Sequence, residues 1–210
     1  MPAASGRDRV RVETGVDGLP AAAPLSGGRL FYRVRKTATG AFPLALVLIV
    51  WLAEVPAPPL SCLLIGFALI AAGVGLRIWA GGHLVKKEVL TTSGPFAHLR
   101  HPLYLGSSII GAGFCLVSGL WWSWAALGFL AVPIYGWQIG AEERLLASRF
   151  GSAFARYYRS VPRLIPRWRP ARLEGQRGRF RLSRVLANRE HHWSGAIVLL
   201  AMALWAVRAF

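Results

Sequence analysis

The sequence predicts an all-α integral membrane protein of about five transmembrane helices, and three observations carry that prediction. The chain of 210 residues is 54% hydrophobic and only 16% charged, whereas a soluble domain carries roughly a quarter charged residues. Its mean hydropathy is +0.43. The few charges are confined to particular stretches, as they are when apolar spans alternate with aqueous loops.

Residues 1–40 hold no long apolar run and are rich in Gly, Ala, Pro and Arg; they read as a basic, disordered cytoplasmic tail. Residues 41–210 read as a single membrane domain. Its first span is about 41–56, closed by Pro56, Pro58 and Pro59 in a tight external turn. The second runs over about 60–80, with Arg77 near its far end, where a long stem can snorkel toward headgroups. After a polar stretch, 81–101, come the third and fourth spans, about 103–119 and 121–139. Ser118 and Gly119 join them, and Trp121, Trp122 and Trp124 suit an interfacial aromatic belt. In the basic segment 140–192, Leu145, Leu146, Phe150, Phe154 and Tyr158 recur at helical intervals. That spacing predicts an amphipathic helix on the membrane surface, apolar face toward lipid, ended by Pro162. A last span covers about 193–210.

Lys plus Arg number 25 against nine Asp plus Glu, for a net charge of +16. Nucleic-acid binding would need a basic face on a soluble module, and the sequence offers none, so no nucleic-acid partner is expected. The cations flank apolar runs, where they suit anionic headgroups of membrane lipids. Segments 1–40, 81–101 and 140–192 carry seven, three and thirteen positive residues, and the turns near 56–60 and 118–121 carry none. Five spans put all three basic segments on one side, as the positive-inside rule requires. The N-terminus is then cytoplasmic and the C-terminus outside, with a bacterial inner membrane as the expected location. Cys62 and Cys115 lie inside apolar runs and build neither a disulfide framework nor a zinc spacing; no metal site is expected.

Two polar features stand out against this background. In the stretch 81–106 three of the five histidines (His83, His98, His101) stand with Lys86, Lys87 and Arg100 directly before a span. Ser93-Gly94-Pro95 imposes a turn, and Pro102 suits the first turn of the third helix. Arg100, His101 and Tyr104 then crowd the mouth of that helix. The second feature is Glu142-Glu143, followed by Arg144, the only adjacent acidic residues in the chain. Successive helical residues point about 100° apart, so the two carboxylates must do different jobs. The tight hairpin of the third and fourth spans should bring them to Arg100, His101 and Tyr104. Charged residues at span ends often only anchor, but converging ones at a membrane-level mouth point to function.

Gly94-Pro95-Phe96, Arg100-His101-Pro102-Leu103-Tyr104-Leu105-Gly106 and Glu142-Glu143 together resemble the isoprenylcysteine carboxyl methyltransferase and phospholipid methyltransferase superfamily. Arg149-Phe150-Gly151 through Tyr157 to Val161-Pro162-Arg163-Leu164-Ile165-Pro166 is also similar, so the resemblance covers about 73–168. Phe96 and His98 depart from the family pattern, which often has Tyr at the first and another residue at the second. The resemblance implies a helical fold that binds S-adenosylmethionine in a pocket at the cytoplasmic face, with no Rossmann sheet. It implies a cofactor site drawn from Lys87, Gly94, Pro95, His98, Arg100, His101, Tyr104, Gly106, Glu142 and Glu143. Cationic donors would meet the carboxylate of the cofactor, a glutamate its ribose hydroxyls or ammonium, and Tyr104 its sulfonium. Arg144 would orient an acidic acceptor. The acceptor itself is expected to be lipid-like and to enter from the bilayer; its methylated atom and the oligomeric state are left open. No Gly-x-Gly-x-x-Gly follows a strand, and Gly73, Gly75, Gly111 and Gly113 inside spans suit close helix packing. The competing readings are a haem protein or reductase built on His83, His98, His101, His191 and His192, and a non-catalytic membrane scaffold or lipid-binding protein.

Overall fold

The protein is described from a computed structural model, which covers residues 41–85, 89–172 and 178–209. The expected tail, 1–40, and Lys86 and Lys87 lie outside the described residues. All regular structure among the described residues is helical. Helix α1 is Ala41–Leu52 and α2 is Leu60–His83. A 3-10 turn, Gly94–Ala97, precedes α3, Pro102–Ser118. Helix α4, Ser123–Ser160, is broken at Gly151, whose φ is 48°. The short α5, Leu182–Ala187, leads into α6, Glu190–Ala209.

The helix limits follow from local chemistry. Pro102 takes the first helical position of α3, where its missing N–H is not needed. Val161 is already extended at the end of α4, because a residue before proline is pushed out of the helical region. Among the described residues α2 is the one helix both long and apolar enough to cross a bilayer; its 24 residues reach past a hydrocarbon core of about 30 Å. Helices α1 and α3 are apolar but shorter. Large apolar side chains stand open on several helices, among them Leu52, Leu64, Phe129, Val132, Leu199 and Met202. Exposed apolar area on that scale is foreign to a soluble monomer.

Helices α2 and α3 form an antiparallel pair at backbone contact. A Cβ at Gly73 would stand 2.7 Å from the Gly106 carbonyl oxygen, and one at Gly113 would stand 2.6 Å from that of Gly66. Around this seam Leu46, Val50, Ile70, Phe114, Val117 and Leu204 form the main core. A Cβ at Gly111 would meet Leu127 at 2.7 Å, whereas Gly75 has open space around it, so the packing role read for the glycines holds at Gly73, Gly111 and Gly113 but not at Gly75. Gly73→Ala should therefore lower the thermal stability of the detergent-solubilised protein by about 1–3 kcal/mol, the usual cost of overpacking. Gly75→Ala should leave it unchanged or raise it slightly, since alanine is the better helix former.

Two sequence expectations need correction. Most of the apolar stripe of the 140–160 helix packs on protein: Phe154 is buried with Tyr157, Leu90 and Val161, with Leu146, Phe150 and Tyr158 packed around them, while Leu145 stays exposed. A segment folded back onto α4 supplies cover that periodicity alone cannot reveal. Arg77 does not snorkel outward either. Its Nη2 donates to Glu190 at 2.7 Å and its Nη1 to Ser107 at 2.6 Å, because α6 delivers a buried carboxylate beside it.

Candidate functional site

The loop before α3 is built to hold its shape. Gly94 has a φ of 61°, and a Cβ there would strike the His83 ring at 2.6 Å. Glycine is thus needed for both backbone conformation and space. The carbonyl of Pro95 accepts from the backbone N–H groups of His98 and Leu99. Tyr157 donates its hydroxyl to the Phe96 carbonyl at 2.9 Å, and burial pushes that phenol's pKa up, so it keeps its proton.

Past α4 the chain returns across this loop as a strap. Arg100 N–H donates to the Pro162 carbonyl at 2.8 Å and His101 N–H to that of Arg163 at 3.2 Å. In the other direction, Arg167 N–H reaches the His98 carbonyl and Ala171 N–H that of Ala97. His98 Nδ1 shares a further bond, 2.9 Å, with the Arg167 carbonyl. His98 is thereby placed in the strap's anchorage.

The expected convergence of α3 and α4 is present, and the two glutamates have separate jobs. Glu143 is wholly buried. His101 Nε2 lies 3.2 Å from its Oε1, Arg163 grips both oxygens, and Arg100 Nη1 stands 3.3 Å away. Burial pushes this carboxyl up, but the bonds from His101 and Arg163 and the charges of Arg100 and His101 outweigh it and hold the pKa at about 2. Glu142 is the accessible member, with a side chain 40% exposed. Tyr104 donates its hydroxyl to it at 2.7 Å, and His101 Nδ1 lies 3.7 Å from its other oxygen.

A folded pKa below the ordinary carboxylate value of 4.5 means that the native state holds this ionised group more tightly than the unfolded chain. Its contribution, about 3 kcal/mol, is fully present above pH 4.5 and is lost as pH falls toward 2. Unfolding followed by circular dichroism should show that loss. A Glu143→Gln variant should lack this part of the pH dependence; an identical acid limb in wild type and variant would refute the assignment.

Three contributors escaped the sequence reading. Arg163 closes on Glu143, Tyr158 lies under the Arg100 guanidinium at 3.8 Å, and Tyr135 stacks edge-on against Tyr104 at 5.1 Å. The charged residue right after the helix-ending Val161-Pro162 was the one available signal for Arg163. Other expected residues are placed elsewhere. Gly106 sits in the α2–α3 seam, where a Cβ would meet Arg77 Cγ at 2.7 Å, and Pro95 is buried within the loop. Among the described residues no hydrogen bond or ion pair links Arg144 to the cluster, and its Nε is buried without a hydrogen-bond partner.

Beside the cluster opens an apolar cleft between α1, α2, α3, α4 and α6. Phe42, Ile110, Leu127, Leu130, Ile134 and Ile197 line it, with Trp193 at one wall, Arg77 and Ser107 as polar points and Tyr135 leading toward Tyr104. The last helix thus walls the cleft through Trp193 and Ile197.

Fold and site together define a class: among the described residues, an all-helical fold with broad exposed apolar surfaces, whose charged mouth is shared by a pre-helix Arg-His-Pro turn and a Glu-Glu pair. Residues 61–153 match the family model for phospholipid methyltransferase. Over 99 residues the chain is 29% identical to a protein-S-isoprenylcysteine O-methyltransferase of Schizosaccharomyces pombe, covering 47% of this chain and 42% of that relative. It is 35% identical over 108 residues to the cobalt-zinc-cadmium resistance protein CzcN of Cupriavidus metallidurans, covering 50% of this chain and 47% of that one. The chain therefore spans about half the length of the curated relatives it matches. No solved structure matches. The superfamily this chain resembles is that of the isoprenylcysteine and phospholipid methyltransferases, as its motifs implied.

Proposed function

We propose that this protein is a membrane-embedded methyltransferase that uses S-adenosylmethionine to methylate a lipid-like acceptor at the cytoplasmic face. The observation that carries the reading is an accessible carboxylate, Glu142, held beside Tyr104 and His101, next to an apolar cleft whose Tyr135 stacks on Tyr104. The residues suit the cofactor. The Arg100 side chain is 8% exposed and its Nη1 is ion-paired with Glu143 at 3.3 Å, but its Nε has no hydrogen-bond partner among the described residues. A buried guanidinium with a donor to spare is matched by a further acceptor, such as a carboxylate.

In this reading Arg100 and His101 hold the carboxylate end of the cofactor, Glu142 accepts from its ribose hydroxyls or ammonium, and the Tyr104 ring faces its cationic centre. Lys87, Gly94, Pro95, His98 and Gly106 belong to the site by resemblance, the last through the seam that sets the pitch of α3. Glu143 positions Arg100 and His101. When bound, S-adenosylmethionine supplies a methyl group activated on a sulfonium. The chain's own part is to align the acceptor and keep water out, which the apolar cleft does for an acceptor arriving sideways from the bilayer. Arg144 orients an acidic acceptor group. A bacterial inner membrane with a cytoplasmic N-terminus accords with the charge distribution.

The test is calorimetric titration of S-adenosylhomocysteine into purified protein, in detergent and in lipid nanodiscs. Saturable binding near one site per chain is expected. A folded protein that binds nothing in either medium would leave the scaffold reading in its place.

A further inference from the structure

The strap that locks the cofactor loop carries side chains with no protein to cover them. Ile165 is 81% exposed and Trp168 97%, and Leu164 is partly exposed beside them. Exposed arginines Arg159, Arg169 and Arg172 flank this apolar stretch along the chain. The strap is bonded to residues 97–101, just before Pro102 opens α3, and His98 lies 6.4 Å from Trp79 near the end of α2. It therefore sits at the level where two apolar helices end. Tryptophan and isoleucine among arginines at that depth are matched by an anionic bilayer surface: acyl boundary for the apolar stretch, headgroup phosphates for the guanidinium groups. Most of the predicted amphipathic stripe on α4 is spent on an internal core, whereas the apolar side chains of the strap stand bare.

We propose that segment 162–171 is an interfacial anchor for anionic lipid headgroups, and that its docking holds the Arg100–His101 loop in shape, so the site responds to the charge of the bilayer surface. The inference rests on the membrane reading, and its second half on the cofactor reading. The coupling route is short. The Arg100 and His101 amides bond directly to the carbonyls of Pro162 and Arg163, and Arg163 also grips Glu143.

The full chain would be placed in nanodiscs of phosphatidylcholine alone and of phosphatidylcholine with an equal part of phosphatidylglycerol. Quenching by brominated acyl chains, compared between wild type and Trp168→Phe, isolates the emission of Trp168; it should be quenched, and more so in anionic discs. Hydrogen exchange at the Arg100 and His101 amides should slow by about fivefold in anionic discs, a modest site-to-site coupling. S-adenosylhomocysteine should bind tighter by the same factor. A Trp168→Ser/Arg169→Gln/Arg172→Gln variant should show one exchange rate in both media. Unquenched Trp168, or a lipid response that survives in the variant, would overturn the proposal. Quenching and exchange need no cofactor, so a chain that binds no S-adenosylhomocysteine would count against the methyltransferase reading while these two readouts still decide the anchor.

Discussion

Glu143→Ala is expected to cost about 3–5 kcal/mol of stability, the range for breaking a buried ion pair by removing one partner. The carboxylate is wholly buried and meets two guanidinium groups, Arg100 and Arg163, and the His101 ring. Arg163, 46% exposed, can turn to water, but Arg100 and His101, 8% and 5% exposed, cannot. The Arg100 charge would be left without its counter-ion in a poorly solvated site. Glu143→Gln should fall between wild type and alanine, since an amide still accepts hydrogen bonds. Thermal unfolding of the purified variants measures this directly. An alanine variant as stable as wild type would mean that the cluster does not hold the loop.

The second large effect is expected at Glu142, one residue away, and it should be functional instead of structural. Its side chain is 40% exposed, so Glu142→Gln should unfold within a degree or two of wild type, as ordinary surface substitutions do. Affinity for S-adenosylhomocysteine should nevertheless fall by about 10–100-fold, the worth of one charge-assisted hydrogen bond. Tyr104→Phe, which removes the hydroxyl bonded to Glu142 at 2.7 Å, should lower affinity by a smaller factor with the same fold. If Glu142→Gln binds like wild type while Glu143→Gln does not, the roles of the two carboxylates are the reverse of those argued above.

These contrasts mark what each source of information decided. The sequence alone determined the helical course: apolar runs placed α1, α2, α3, the first part of α4 and α6, Pro102 set the start of α3, and Pro162 the end of α4. It also determined that Arg100, His101 and Tyr104 would meet the Glu pair, because a short turn between two helices leaves few other arrangements. Such features follow from short-range rules of spacing, caps and breakers. Only the tertiary structure decided which glutamate is buried, since that depends on the rotation of α4 about its axis. Only there did Arg163 and Tyr158 join the cluster, and Arg77 find Glu190, 113 residues away. The apolar face of residues 146–158 likewise reads the same in sequence whether lipid or protein covers it. Cover is a property of what the rest of the chain brings alongside, and helical periodicity carries no record of that partner.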